Sequence, residues 1–517
     1  MLALVGACGG NEAQPPATGQ VALRLAMPHG TLDPAGFTSV DVVLHIPGQA
    51  DDERTATIEK TGGANTFKLG TIEPVAGVQI EATLRNSSGA AVGYGRTAIG
   101  EMIASGAEIS VPVRRPIAYL AGTVGRATNP SQPNILTWSE APATISDLSV
   151  SAPLDGTAQV GSQAVLMVAA GPDLYMVTQA ITAATGALTG PATITPISTA
   201  DHKAGTALTG QLTGAVVDGD GTDDGSKLVV ATATQLFAVD TVSGTVTALT
   251  DGNFARVAIL TADSGEIDAI AIKNRGSTTT IGTCATAAEL WWAPLTGGPG
   301  AAHRVATGGF ADIATDRGHA YYVDACTGQL GEVTATATQV LSTITGRPTA
   351  LAVSNGQAYI GIENQPATTS LVVTPIAAGE PPRVLWTETA QQVVEAVDFQ
   401  GVQRQLAAVS VVFDHLEIGA GGDYVALTTS GQFHGDAVPE ANFPDISMDS
   451  EELRVFDAST GGIVQRYRSW CQGTILFTPG LDIVPWRCAL ATGQTAAQSM
   501  SMYDHHINSM TFLFGKK

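Results

Sequence analysis

Leu236-Phe-Ala-Val-Asp240-Thr-Val-Ser-Gly244 is the stretch on which the reading of this chain turns. An apolar run ends in Asp, and Gly follows four residues later. Asp accepts backbone N–H groups as a strand turns, and Gly takes the positive φ that returns the chain to the ladder. Tyr321-Tyr-Val-Asp324-Ala-Cys-Thr-Gly328 and Leu453-Arg-Val-Phe-Asp457-Ala-Ser-Thr-Gly461 keep the same spacing. Leu290-Trp-Trp-Ala-Pro294-Leu-Thr-Gly-Gly298 and Leu371-Val-Val-Thr-Pro375-Ile-Ala-Ala-Gly379 put Pro where Asp stood. Leu174-Tyr-Met-Val-Thr178 reads as a sixth strand before a longer turn. Most copies follow another strand and a Gly-containing turn, as in Leu351-Ala-Val-Ser-Asn-Gly356-Gln-Ala-Tyr-Ile.

A two-hairpin unit recurring every few tens of residues resembles a β-propeller over residues 117–515, with six or seven blades. The resemblance implies that the Asp-to-Gly hairpin joins the two outer strands of a blade. Upstream, residues 20–115 alternate with period two: Val21, Leu23, Leu25 and Met27; Val40, Val42, Leu44 and Ile46; Val78, Ile80, Ala82 and Leu84; Ile109, Val111 and Val113. That period marks half-buried antiparallel strands. Turn clusters at Asp33-Pro34-Ala35-Gly36, Thr61-Gly62-Gly63 and Ser87-Ser88-Gly89 separate them. About seven short strands in this span resemble an immunoglobulin-like β-sandwich, without the Cys–Trp–Cys core of true immunoglobulin domains. The expected fold class is all-β throughout.

Composition excludes several functions. The 517 residues carry 25 Lys+Arg against 47 Asp+Glu, a formal net charge of −22. Only 14% of residues are charged and 44% are apolar, so large cores form and an acidic disordered protein is excluded. Basic residues cluster no further than Arg114-Arg115 and Lys516-Lys517, which excludes nucleic-acid binding. Leu174 to Ala200, the longest uncharged stretch, contains Pro191 and Pro196 among Thr and Gly, a composition of strands and turns.

The chain opens Met1-Leu-Ala-Leu-Val5-Gly6-Ala7-Cys8, then Gly9-Gly10-Asn11-Glu12-Ala13-Gln14-Pro15-Pro16-Ala17-Thr18-Gly19. Val5-Gly6-Ala7-Cys8 resembles the lipobox of bacterial lipoproteins. The resemblance implies cleavage before Cys8, a lipid on its sulfur, and residues 1–19 as leader and tether. Gly9 in place of Asp after the cysteine implies the outer membrane in Gram-negative relatives. Four cysteines remain, Cys284, Cys326, Cys471 and Cys488. In an exported chain they read as two disulfides, and of three possible pairings the sequence-local one, 284–326 and 471–488, is expected.

Val216-Val-Asp218-Gly-Asp220-Gly-Thr222-Asp-Asp224-Gly-Ser226 sets alternating carboxylates in a Gly-rich loop, a pattern suited to a hard cation. It resembles the calcium loop of integrin-type propeller repeats. The resemblance implies Ca²⁺ held by Asp218, Asp220, Asp224 and the Thr222 carbonyl, although Val216 stands at the first ligand position. A second acidic stretch, Asp436, Glu440, Asp445, Asp449, Glu451 and Glu452, reads as a solvated loop. The pairs Asp201-His202, Asp414-His415 and Asp504-His505 put neighbours on opposite faces of a strand, which argues against shared chemistry. G-x-S-x-G, H-E-x-x-H and G-x-G-x-x-G signatures are absent. The expectation is a lipid-anchored, non-catalytic binding or scaffold protein at the cell surface, contacting a protein or a glycan through propeller loops. The alternative is an exported propeller hydrolase or lyase acting on polysaccharide, which needs two carboxylates converging in a central channel.

Overall fold

A computed structural model describes residues 19–26, 34, 36–57, 66–72, 75–103, 108–126, 129–140, 143–148, 162–181, 187–199, 203–262, 264–274, 287–296, 300–364, 368–377, 381–389, 393–397, 403–435, 446–475, 487–488 and 505–515. Among the described residues strands dominate, with one short 3-10 turn at Ala420–Gly422. Among the described residues no helix is long and apolar enough to cross a membrane.

The N-terminal unit has eight strands: β1 (Gly19–Ala26), β2 (Phe37–His45), β3 (Asp52–Thr57), β4 (Thr66–Ile72), β5 (Val75–Asn86), β6 (Ala91–Arg96), β7 (Glu101–Ile103) and β8 (Glu108–Pro112). One sheet runs β4-β1-β8, with β1 and β8 parallel. The other runs β3-β2-β5-β6, with β7 beside β5. The alternating residues read from sequence meet between them. Leu23, Leu25, Val40, Val42, Leu44, Val78, Ile80, Ala82, Leu84, Ile109, Val111 and Val113 form one buried cluster with Val92. Ser87-Ser88-Gly89 is the β5–β6 turn, closed by the Gly89 amide on the Asn86 carbonyl. Val21 and Met27 have side chains outside the described residues.

Seven further sheets follow among the described residues. The first is made by β9 (Ile117–Arg126), β10 (Asn129–Glu140) and β11 (Ala143–Leu148), joined by the last strand of the chain, β38 (His505–Phe512). The second holds β12 (Ser162–Ala170), β13 (Asp173–Ile181), β14 (Leu188–Ile197) and β15 (Gln211–Leu212). The third holds β16 (Val216–Gly221), β17 (Lys227–Thr232), β18 (Gln235–Asp240) and β19 (Val246–Asp251). The fourth holds β20 (Phe254–Thr261), β21 (Ile267–Lys273), β22 (Ala288–Pro294) and β23 (His303–Gly308). The fifth holds β24 (Phe310–Asp316), β25 (His319–Asp324), β26 (Gln329–Val333) and β27 (Thr338–Thr343). The sixth holds β28 (Pro348–Ser354), β29 (Gln357–Asn364), β30 (Thr368–Pro375) and β31 (Arg383–Thr389). The seventh adds β32 (Val393–Val397) and β37 (Arg487–Cys488) to four long strands, β33 (Gln403–Gly419), β34 (Tyr424–Gly435), β35 (Ile446–Asp457) and β36 (Ile463–Ile475).

Within these sheets the strands are antiparallel neighbours in chain order, the hairpin arithmetic expected from the repeat, except that β38 lies beside β9 and β37 beside β32. The edge strands β38, β12, β16, β20, β24, β28 and β33 touch in that order, and β33 returns to β38. The arrangement is therefore propeller-like: sheets set side by side around an axis, packed face to face through apolar clusters. The circle closes by hydrogen bonds between the first and last strands, with Ala121 opposite Ser509 and Ala118 opposite Phe512.

The Asp-to-Gly hairpins form as read, with one displacement. Asp240, Asp324 and Asp457 each accept a backbone amide of the turn through Oδ1. Gly244, Gly328 and Gly461 take φ of 70°, 69° and 72° and donate back to the same Asp carbonyls. The 240–244 and 457–461 turns join the third and fourth strands of their sheets, as expected. The 324–328 turn instead joins the second and third, β25 and β26. The local chemistry closes any tight hairpin and carries no address within the sheet. Leu174–Thr178 likewise belongs to a second strand, β13.

Sheets six and seven are pinned away from the axis by Arg454, which is 2% exposed. Its guanidinium donates to Glu388 Oε2 at 2.7 Å and Thr429 Oγ1 at 2.8 Å and lies 4.5 Å from the Trp386 ring centre. Removing one partner of a buried pair strands the other's charge. Arg454→Ala is expected to cost about 3–5 kcal/mol in urea unfolding. A loss below about 1 kcal/mol, the scale of an exposed pair, would mean that water reaches Glu388.

Candidate functional site

The strand edges around the axis share one irregularity. Register shifts fall between Ala164 and Leu166, Val216 and Asp218, Phe254 and Arg256, Phe310 and Asp312, Pro348 and Ala350, Phe413 and His415, and Ile507 and Ser509. Each is a β-bulge, which re-aims the residue after it and sharpens the twist. Asp218, Arg256 and Asp312 stand at equivalent positions on three successive inner strands. Arg256 Nε lies 3.3 Å from Asp312 Oδ1. Its Nη2 lies 3.5 Å from the Asp414 carbonyl on β33, a strand that is not an inner-strand neighbour of β20. The side chain therefore bars the axis. Burial opposes its charge, but Asp312, Asp218 and Asp414 together hold its pKa above the ordinary arginine value.

The axial carboxylates also fasten sheet to sheet. Asp218 Oδ2 accepts the Val257 amide at 2.9 Å, Asp220 Oδ2 accepts Ile259 at 2.7 Å, and Asp312 Oδ2 accepts Leu351 at 2.9 Å. Glu363 Oε1 accepts Phe413 and Glu417 Oε1 accepts Phe512, both at 2.9 Å. Neutral groups complete the circuit. Gln179 Oε1 accepts Val216, Ser509 Oγ accepts Met167, and Thr315 Oγ1 donates to the Ile259 carbonyl. Every junction around the axis carries at least one such clasp.

One mouth of the axis is covered by the N-terminal unit. Gln79, Arg96 and Ile99 share a cavity of about 70 Å³ with inner-strand residues that include Asp220, Asp316 and Glu417. That space suits a few water molecules. A second cavity, about 20 Å³, surrounds Arg256 with Asp218, Asp312, Asp414, His415 and Glu417. The covering unit is anchored by charge. Arg96 Nε donates to Asp223 Oδ1 at 2.9 Å, Gln79 donates to Asp223 Oδ2 at 3.1 Å, and Arg85 Nη1 donates to Asp423 Oδ2 at 2.6 Å. Arg317 pairs with Asp51, which also meets His45 Nδ1 at 2.8 Å. Burial opposes a charge on His45, but Glu81 and then Asp51 hold its pKa above the usual value.

The 218–224 loop is fully described and does not gather its oxygens. Asp218 and Asp220 clasp β20, whereas Asp224 Oδ1 accepts the Thr222 hydroxyl at 2.6 Å and the Ser226 amide at 2.9 Å. Burial pushes Asp224 toward the neutral form, but the Thr222 and Ser226 hydrogen bonds win and hold its pKa low. Among the described residues no group of three or more His, Cys, Asp or Glu could hold a metal ion. The donor set expected for Ca²⁺ therefore does not fit. Val216 to Gly221 is an inner strand and only Thr222–Ser226 is the turn. Alternation across a strand, combined with the bulge, sends the carboxylates to different partners.

The opposite-face argument against Asp414-His415 also fails, because the bulge there turns both toward the axis. Asp201-His202, Asp504, Cys8 and Cys284 lie outside the described residues. Cys326 is 3% exposed and disulfide-bonded. Asp449, Glu451 and Glu452 lie on β35, not in a loop, while 436–445 lie outside the described residues. Arg256 escaped the sequence reading. Its signal was a lone charge at the third residue of the otherwise apolar strand Phe254–Thr261, the rank that Asp218 and Asp312 hold in theirs.

No protein-family model matches the chain, and no curated protein matches it. Among solved structures it is similar to a protein provisionally assigned as a 6-phosphogluconolactonase from Bacteroides fragilis, at 11% identity and TM-score 0.36, covering 77% of this chain and 98% of that one. It is similar to the periplasmic gluconolactonase PpgL of Pseudomonas aeruginosa, at 12% identity and TM-score 0.32, covering 70% and 96%. A functionally unknown protein from Desulfotomaculum acetoxidans matches at 12% identity and TM-score 0.38, covering 67% and 95%.

Replacing Arg256 by Met leaves Asp218, Asp312 and Asp414 facing an apolar chain. Arg256→Met is expected to lose about 3–5 kcal/mol at neutral pH. Losing the cation raises the folded-state pKa of these carboxylates, so the deficit shrinks as pH falls toward 5. Urea unfolding of wild type and variant at both pH values checks this, and a deficit independent of pH would separate Arg256 from the three carboxylates.

Proposed function

We propose that the protein is a lipid-anchored, non-catalytic binding or scaffold protein of the outer membrane or cell surface. On this reading residues 20–115 are an immunoglobulin-like sandwich and the seven sheets are the blades of a seven-bladed propeller. The observation that carries it is the blocked axis: Arg256 bars it, the N-terminal unit covers one mouth, and its carboxylates are committed to neighbouring amides. A polysaccharide hydrolase needs a cleft that admits a sugar ring between two carboxyl groups. The protein or glycan partner then meets the face away from the N-terminal unit.

Full-length wild type and Cys8→Ser, expressed with the native leader, test the reading in the original host. Wild type is expected in the membrane fraction and the variant in the soluble exported fraction. Incubation with a panel of cell-wall and capsular polysaccharides is expected to release no reducing ends. Turnover that Asp312→Asn abolishes would establish the hydrolase in place of the scaffold.

The disulfide pairing 284–326 is supported by position. The β21–β22 connection containing Cys284 and the β25–β26 turn containing Cys326 leave from corresponding ends of adjacent sheets. For 471–488, β36 lies against β37. For the 218–224 loop the geometry supports clasping and turn capping in place of calcium. Millimolar calcium against chelator is expected to leave the thermal midpoint unmoved. A rise that Asp220→Ala removes would restore the calcium site, since a ligand of the folded state raises stability.

A further inference from the structure

The circle of sheets is closed by the pairing of β9 with β38, with the Ser509 and Glu417 clasps on either side of β38. Among the described residues β38 is an edge strand of its sheet, hydrogen-bonded on one side to β9, and such a closure opens first there. The N-terminal unit is built around that point. Its last residues, Val113–Pro116, run straight into β9, so the unit rides on one half of the closure. It then reaches over the other half. Phe514, two residues beyond β38, sets its ring edge-on to Tyr94 at 6.3 Å and 81°. Arg96 Nη2 lies 3.5 Å from the Gly515 carbonyl.

From there the unit grips sheets on both sides of the gap. On one side Arg85 holds Asp423, at the turn after β33, and the Tyr424 hydroxyl donates to the Ala91 carbonyl at 3.1 Å. Gly421 has φ of 65°, and a Cβ there would fall 2.5 Å from the Tyr94 ring, so the turn is seated directly on the unit. On the other side Arg96 and Gln79 hold Asp223, at the turn after β16. Tyr94, Ala91, Tyr424, Phe512 and Phe514 belong to one buried cluster. We propose that the N-terminal unit is a latch that spans the closure and keeps β38 seated, and not a spacer carried passively in front of the circle.

Local openings of a folded protein are read by amide hydrogen exchange. The test compares full-length wild type with Tyr94→Ala and with Arg85→Gln/Arg96→Gln. A latch predicts roughly tenfold or faster exchange confined to 505–515 and its partner 117–126, the size expected for about 1.4 kcal/mol of lost closure. Exchange in 254–273, across the circle, is expected to stay as in wild type. Should Tyr94→Ala fail to fold, the double Gln variant, which leaves the apolar clusters untouched, decides alone. Unchanged exchange in 505–515, or acceleration spread evenly over all sheets, overturns the latch.

Discussion

Sheets arranged around an axis leave a problem at their inner edges. Each innermost strand is bonded on one side to its own sheet, while its other edge faces the axis, where the neighbouring strands splay apart. Buried amides on that edge must find partners. Here side chains of the adjoining sheet supply them: Asp218, Asp220, Asp312, Glu363 and Glu417 as carboxylates, Gln179 and Ser509 as neutral groups. On the inner strands, the bulge at the same level re-aims Asp218 and Asp312, whereas Glu363 and Gln179 reach across from second strands. Bulge and clasp together set the geometry of the axis.

This constraint gives the acidic axis a structural part on the proposed reading. A carboxylate that accepts a backbone amide of the neighbouring sheet is held still by it. Asp218, Asp312 and Asp414 would repel one another across the narrow space, and Arg256 balances them. The cluster thus sets a cation among carboxylates at the centre, as the buried Arg454–Glu388 pair does between sheets six and seven.

How much of this was legible follows from the range of each interaction. The N-terminal core was readable residue by residue, because Val78, Ile80, Ala82 and Leu84 alternate along one strand and period two needs no tertiary information. The Asp240, Asp324 and Asp457 turns were readable because the bonds that close them, from the Asp side chain and carbonyl to amides of the turn, lie within four residues. The place of the Asp324 turn in its sheet was not, since Tyr321–Gly328 closes the same turn between β25 and β26 that Leu236–Gly244 closes between β18 and β19. The acidic 218–224 stretch looked like a cation loop because carboxylate spacing alone does not say which oxygens turn inward. Its partners, Val257 and Ile259, lie 39 residues away. Asp312 clasps Leu351 at the same separation, a regularity that spacing from residue to amide hides until the bonds are seen.

The pairing of β9 with β38 also bears on how the chain is made. Contacts between distant parts of a chain form late, because the loop between them must be closed first. Here the first strand of the circle waits for the last. A polypeptide emerging amino end first can assemble individual hairpins and even the leading two-sheet unit, but the circle stays unfinished until β38 is made.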